Sequence, residues 1–387
     1  MSGLLFLVRR RLVHTWRQNS ILCLALGIVM FLPLASTFVA RAFEAKFHER
    51  AGRVPLVLGA RGNRFDLALA VLFHRDLALP TLTRSEAHAV ESDGRAYVIP
   101  VQRRFRARGW PIVATTPDYF EVFAARVARG SLPLQLGDCV LGAKVARELG
   151  LDVGDRLFSD PVEVFDLAKP PALEMLVVGV LEGDGTANDR GVYCDIKTGW
   201  LLEGRFHGHE DAQQLDKQLV LVEADQRILK KTVVEYQKVT DENRDAFHLH
   251  GDPAELPINA AIVVPRDAKQ RTILAARYEQ SRTLQLLEPS GVARELTDYV
   301  LGIKTLVDGL AVLIGLSTAL LVGLVLSLTL RLRAAETRTL ARIGVARATL
   351  VRLWCLEFAV VLLLALLLAI AATLVVLHWA PTVLSLS

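Results

Sequence analysis

Three long apolar runs constrain this chain more than any other feature. Residues 18–40 carry no charged side chain, and Ile21–Ala40 is apolar almost throughout. A second run, Gly309–Leu330, lies between Asp308 and Arg331, and a third begins near Leu353 and continues past Leu377. A helix rises about 1.5 Å per residue, so about 20 residues cross a hydrocarbon core. Each run is long enough, and the last two lack the polar face that a buried helix of a soluble protein turns to water. The runs predict transmembrane helices at 21–40, 308–330 and 353–378. For the first run a cleaved signal peptide is the alternative, with Arg9–Arg11 as its basic segment and Ala40-Arg41-Ala42 as its cleavage site. The run is longer than a typical signal-peptide core, which favours an uncleaved anchor.

Charge orients these spans. Residues 41–308 hold 39 of the 41 acids and 35 of the 45 lysines and arginines. The remainder holds only Glu336 and Glu357 against ten arginines. Four arginines precede the first span, and Arg331, Arg333, Arg338, Arg342, Arg347 and Arg352 lie between the second and third. Short arginine-rich segments stay cytoplasmic. Residues 1–20 and the 331–352 loop are therefore expected inside, and the 41–307 domain and the 379–387 tail outside. No basic patch marks the large domain, so nucleic acid is not an expected partner.

The central stretch is long enough to bury its own core. Val54–Ala60 reads as a strand and Phe65–His74 as a short helix. Ala96–Arg106 and Trp110–Thr116 read as a hairpin around Arg108-Gly109. Asn259–Val264 and Thr283–Leu287 read as strands flanking a helix over Ala268–Gln280. Between them, about 137–250, short strands such as Leu176–Leu181 and Gly191–Ile196 read as a subdomain inserted into an α+β domain. Glu203–Gln218 reads as a polar loop. The expected fold class is thus membrane α-helical, with three transmembrane helices and a large extracytoplasmic α+β domain containing an inserted subdomain. Of the four cysteines, Cys139 and Cys194 lie in that domain. No CxxC spacing points to a zinc ribbon, and a Cys139–Cys194 disulfide stands open in an oxidising compartment.

Chemistry-bearing motifs are sparse. Gly137-Asp-Cys-Val-Leu-Gly-Ala-Lys144 lacks the Gly-Lys-Ser/Thr ending of a phosphate-binding loop. His48-Glu49 has no second histidine at the spacing a zinc protease needs, and no Gly-x-Ser-x-Gly occurs. His207-Gly-His209-Glu-Asp and His248-Leu-His250-Gly-Asp252 place imidazoles beside carboxylates, a donor set that suits zinc or copper. A solvated polar loop explains the same residues. Glu357 opens the third span, where a carboxylate must face protein or the water boundary. Pro33 is a candidate kink in the first.

Three segments resemble the MacB/FtsX/LolC-type superfamily of ABC transporter permeases. Thr116-Pro-Asp-Tyr-Phe-Glu-Val-Phe123 with Arg129-Gly130 resembles the stretch that precedes the inserted subdomain of the family's extracytoplasmic domain. Val140-Leu-Gly-Ala-Lys-Val-Ala-Arg-Glu-Leu-Gly150, Val153-Gly154-Asp155 and Val177-Val-Gly-Val-Leu181 resemble a helix, turn and core strand of that domain. Arg333-Ala-Ala-Glu336, Leu340-Ala-Arg-Ile-Gly344 and Glu357 resemble its cytoplasmic loop. Common members carry a fourth span, whereas this sequence ends at Ser387 soon after the third. It is either a three-span form or truncated. A likeness of Gly59-Ala-Arg-Gly-Asn-Arg-Phe-Asp-Leu67 to a DevC-like branch favours the former.

The resemblance implies a permease of the bacterial inner membrane, not itself an enzyme. A separate LolD/MacB-like ATP-binding subunit would hold ATP and magnesium. A second permease copy, forming a homodimer, is expected, and a periplasmic adaptor, lipoprotein or metal-binding protein is a further candidate partner. Arg338, Leu340, Arg342, Ile343, Gly344 and Arg347 are the expected ATPase-coupling residues, and motion passed to the outer domain is the expected mechanism. A membrane-anchored sensor or assembly factor, with an outer domain that binds a partner and could hold a metal, is the alternative.

Overall fold

The computed structural model describes residues 2–75, 79–161, 172–208, 220–223, 226–229, 238–240, 242–249, 251–332 and 346–384. The chain divides into two compact units. Met1–Lys46 joins Glu295–Ser387 in one, and Phe47–Arg294 forms the other.

The first unit is helical. It contains α1 (Ser2–His14), most of α2 (Trp16–Arg53), most of α9 (Pro289–Leu332) and α10 (Arg347–Leu384). Among the described residues, three stretches are long and apolar enough to cross a membrane: Trp16–Arg53, Pro289–Leu324 and Val351–His378. On α9, Leu310, Val312, Leu316, Leu320 and Leu324 are exposed. Leaving a leucine side chain in water rather than burying it forfeits about 2 kcal/mol, so this face is made for lipid or other helices. Pro33 lies within α2 without ending it. The Ser36 and Thr37 hydroxyls donate to Pro33 O at 3.1 and 2.7 Å. Small residues admit close packing within the bundle: a Cβ on Gly27 would sit 3.1 Å from Leu368, and Ala365 and Ala369 are buried.

The second unit is α+β. Along the chain come β1 (Leu56–Ala60), α3 (Arg64–Phe73), β2 (Leu82–Thr83), α4 (Arg84–Ser92), β3 (Ala96–Val101), β4 (Arg106–Ala107) and β5 (Trp110–Thr115). Then follow α5 (Asp118–Val122), β6 (Val127–Gly130), β7 (Asp138–Leu141), α6 (Ala143–Leu149), β8 (Arg156–Phe158), β9 (Glu174–Leu181) and β10 (Val192–Asp195). The last group is α7 (Ile196–Leu202), β11 (Phe206–Gly208), β12 (Val220–Glu223), β13 (Gln226–Leu229), β14 (Phe247–Leu249), β15 (Pro257–Ile258), β16 (Ala260–Pro265), α8 (Ala268–Glu279) and β17 (Leu284–Leu287).

One sheet is antiparallel, in the order β17-β1-β16-β3. The other runs β4-β5-β10-β7-β9-β6, with β8 also paired to β9. The second sheet is inserted between β3 and β16, which are neighbours in the first. Its strands begin at Arg106, so they start ahead of the 137 boundary read from sequence. The stretch Ala96–Arg106, expected as one arm of a hairpin, is divided between the sheets. β3 pairs β16, β4 pairs β5 through the Arg108-Gly109 turn, and Gln102 bridges to Ala114. Gly199 makes that junction tight. A Cβ there would lie 2.4 Å from Gln102 Oε1 and 2.5 Å from Ala114 Cβ.

Local sequence sets the helix ends. Thr83 and Glu86 form a reciprocal capping box on α4, satisfying two otherwise unpaired donors. Asn63, Asp195 and Asp267 accept from the first turns of α3, α7 and α8. Gly150 ends α6 at φ +66°, a conformation that glycine enters without a Cβ penalty. A continuous hydrophobic cluster, from Leu56 and Leu58 through Ile112, Leu141 and Val177 to Val263, runs through both sheets.

Candidate functional site

The last turns of α2 belong to the α+β unit. Phe47, Arg50 and Ala51, with Val54 just past the helix end, are all buried there, a spacing that presents one helical face. Phe47 stacks on Phe73 with ring centroids 5.1 Å apart. Arg50 is only 5% exposed. A buried guanidinium must use its donors. Its Nε donates to Leu72 O at the end of α3, its Nη2 to Asn188 Oδ1 at 2.9 Å and its Nη1 to Thr186 Oγ1 at 3.3 Å. Its Cζ lies 4.3 Å from the centre of the Phe123 ring, within cation–π range. Arg53, one turn on, donates to Phe123 O at 3.0 Å. Arg50 thus ties α2 to the α3 end on one side and to the loop before β10 on the other.

His74 continues this cluster. It caps α3 in the left-handed region at φ 54°, uncommon for a residue with a Cβ. Its Nε2 lies 3.1 Å from Tyr193 Oη and 3.3 Å from Tyr119 Oη. Tyr193 donates its one proton to Asn188 O at 3.2 Å. Among the described residues, His74 Nδ1 is buried without a hydrogen-bond partner. Burial first, then the charges of Arg50 and Arg103, hold the His74 pKa well below the usual imidazole value. The imidazole is neutral, and burial raises the pKa of the Tyr119 and Tyr193 phenols. Sequence reading missed this cluster. Its signal was the Phe47, Arg50, Ala51, Val54 spacing, hidden among the basic residues that ordinarily flank a span.

The residues expected to contact an ATPase are mostly beyond description. Arg338, Leu340, Arg342, Ile343 and Gly344 lie outside the described residues, and Arg347 is the first residue of α10. Glu357 has a defined setting. Its Oε2 lies 3.4 Å from Arg11 Nε of α1, and Arg11 also sits 4.0 Å from the centre of the Trp354 ring. The carboxylate is 13% exposed. It faces protein, as its cost in lipid requires.

His207 and His248 are direct register partners across β11 and β14. His248 Nδ1 lies 2.9 Å from Ala246 O. His209 and His250 lie outside the described residues. Among the described residues, no three His, Cys, Asp or Glu side chains are placed to hold a metal ion.

Three candidate spans carrying one two-sheet α+β domain define a membrane-anchored protein with a large extracytoplasmic domain. The family model of the MacB-like periplasmic core domain matches residues 20–236, more than half of the chain, and the chain belongs to that family. It is thereby a permease-type subunit of the MacB/FtsX-type ABC transporter superfamily, for which an ATP-binding partner subunit and a dimer are implied. Two solved structures share a likeness at 11% identity. One is the periplasmic region of MacB from Actinobacillus actinomycetemcomitans, with TM-score 0.38, covering 65% of this chain and 97% of that one. The other is the extracellular domain of the noncanonic ABC-type transporter YknZ from Gram-positive bacteria, with TM-score 0.33, covering 60% and 98%. No curated protein matches the chain.

Proposed function

We propose that this chain converts ATP hydrolysis by a separate ATP-binding subunit into motion of its extracytoplasmic domain. That motion drives export or extraction of a lipoprotein, peptide or small molecule. Two copies pair in the bacterial inner membrane, with the N-terminus cytoplasmic and the large domain periplasmic. Arg338, Leu340, Arg342, Ile343, Gly344 and Arg347 dock on the ATPase, which binds ATP and magnesium.

The observation that carries this reading is the continuity of α2. One helix holds both the first apolar run and Arg50, whose guanidinium is fastened inside the α+β unit. A continuous helix transmits displacement where a flexible linker would dissipate it. Arg11 and Glu357 supply a second link, joining α1 to α10, the helix that follows the proposed docking loop.

Affinity purification from native membranes tests the proposal. The chain is expected to bring down an ATP-binding subunit. An Arg342→Glu/Ile343→Asp chain is expected to lose it while keeping the thermal transition of the outer domain. Equal recovery with both chains sinks the docking assignment. No ATPase with either leaves an anchored partner-binding protein as the better description.

A further inference from the structure

Cys139 and Cys194 take no part in that reading. They lie on β7 and β10 as direct register partners across an antiparallel pair. Both are buried, and both stand as free thiols. Along such a ladder two kinds of position alternate. Residues that exchange backbone hydrogen bonds have Cα atoms about 5.5 Å apart, and those that do not are about 4.5 Å apart. The Gly142 N–H donates to Gly191 O at 2.9 Å, which makes Gly142–Gly191 a bonded position. One step along, Leu141–Val192 is non-bonded, Val140–Tyr193 is bonded, and Cys139–Cys194 is non-bonded. The two cysteines therefore occupy the closer kind of position and project from the same face. A disulfide requires Cα atoms roughly 4.4–6.8 Å apart and Cβ atoms roughly 3.5–4.5 Å apart; a non-bonded pair meets the first and brings the Cβ atoms to about 4.5 Å or closer, at the edge of the second. The sulfurs point into the apolar cluster with Ala114, Leu141 and Val192.

We propose that Cys139 and Cys194 are joined by a cross-strand disulfide in the mature extracytoplasmic domain, tying β7 to β10. This rests on the extracytoplasmic placement of that domain, where oxidising conditions prevail. The reaction is exchange with the disulfide of a dithiol carrier. One cysteine thiolate attacks a carrier sulfur, forming a mixed disulfide and releasing one carrier thiolate. The second cysteine thiolate then attacks the protein sulfur of that mixed disulfide, closing Cys139 Sγ–Cys194 Sγ and releasing the second carrier thiolate. The two cysteines lose two electrons and two protons, and the carrier disulfide takes up both. Burial seals both sulfurs and raises both thiol pKa values. Exchange therefore precedes closure of the sheet, while the strands are still reachable.

The test uses the full-length protein from its own membrane, denatured with excess N-ethylmaleimide and mapped by peptide mass with and without prior reduction. Cys23 and Cys355 are expected to be alkylated in both samples. Cys139 and Cys194 are expected to be alkylated only after reduction, and otherwise recovered as one cross-linked peptide pair. A chain with Ser92→Cys, at an exposed position of α4, is labelled in intact cells with a membrane-impermeant maleimide. If that site labels while Cys139 and Cys194 are alkylated without reduction, the disulfide is overturned and the extracytoplasmic placement stands. If it does not label and both thiols are free, the placement falls and the disulfide with it.

Discussion

A guanidinium as buried as that of Arg50 is tolerated only where its donors are used. Leu72 O, Thr186 and Asn188 use them, and the Phe123 ring takes the remaining face. Arg50→Met removes the fork and strands these acceptors, at a cost of about 3 kcal/mol. Arg50→Lys keeps the charge without the planar fork and is expected to cost roughly half as much. Thermal unfolding of the full-length protein in detergent measures both. His74 adds a pH dependence. Its folded pKa lies below that of the unfolded chain, so the unfolded state binds more protons in the interval between them, and stability rises with pH there. The contribution is complete above about pH 6.5 and is lost as pH falls below it. His74→Asn, which tolerates the left-handed backbone, is expected to flatten the slope of melting temperature in this acid window. An unchanged slope would assign the dependence to other groups. Nothing near His74 in sequence announces this environment, because Tyr119 and Tyr193 arrive from distant segments.

At the level of the elements, one backbone approach decides the edge of the second sheet. Gly130 has φ +81°, and a Cβ there would lie 2.0 Å from Val178 O. This is a physical reason for glycine in the Arg129-Gly130 motif. Gly130→Ala is expected to cost roughly 3 kcal/mol through strain and lost β6–β9 pairing, read as a lower unfolding midpoint and faster hydrogen exchange at β6. Between α1 and α10, the Arg11–Glu357 pair is shielded enough to couple. Arg11→Met and Glu357→Gln are each expected to destabilise the chain, and the double variant to cost less than their sum by about 1 kcal/mol. Additive losses would show that the two side chains act independently. Strands and helices were legible where the signal is local. The 268–280 and 283–287 readings fall within a residue of α8 and β17, because Asp267 caps the helix and Ser281-Arg282 ends it. The Ala96–Arg106 reading failed in one respect. Alternation of side chains marks a strand but does not say which sheet receives it, and Gln102 is where β3 and β4 part.

For the whole molecule, the continuity of α2 gives the mechanism its sharpest test. Three glycines inserted between Ala45 and Lys46 interrupt the helix outside the Phe47–Val54 anchor. Export or extraction is expected to be lost, with ATPase association and the outer domain's melting temperature unchanged. Retained transport would show that α2 does not carry the motion. Light scattering of the detergent-solubilised complex is expected to give two copies of this chain, and a single copy would exclude the homodimer. The sequence alone determined the membrane-spanning runs, the charge asymmetry and the α+β character of the outer domain. Each depends on local composition or short-period patterning, and a bilayer reads hydrophobicity over about 20 consecutive residues. The tertiary structure alone decided that a second sheet starting at Arg106 is inserted between β3 and β16, that Arg50 is interior, and that Cys139 faces Cys194. These depend on pairings between residues far apart in the chain, whose register is set by how two apolar faces fit and not by any one segment's composition.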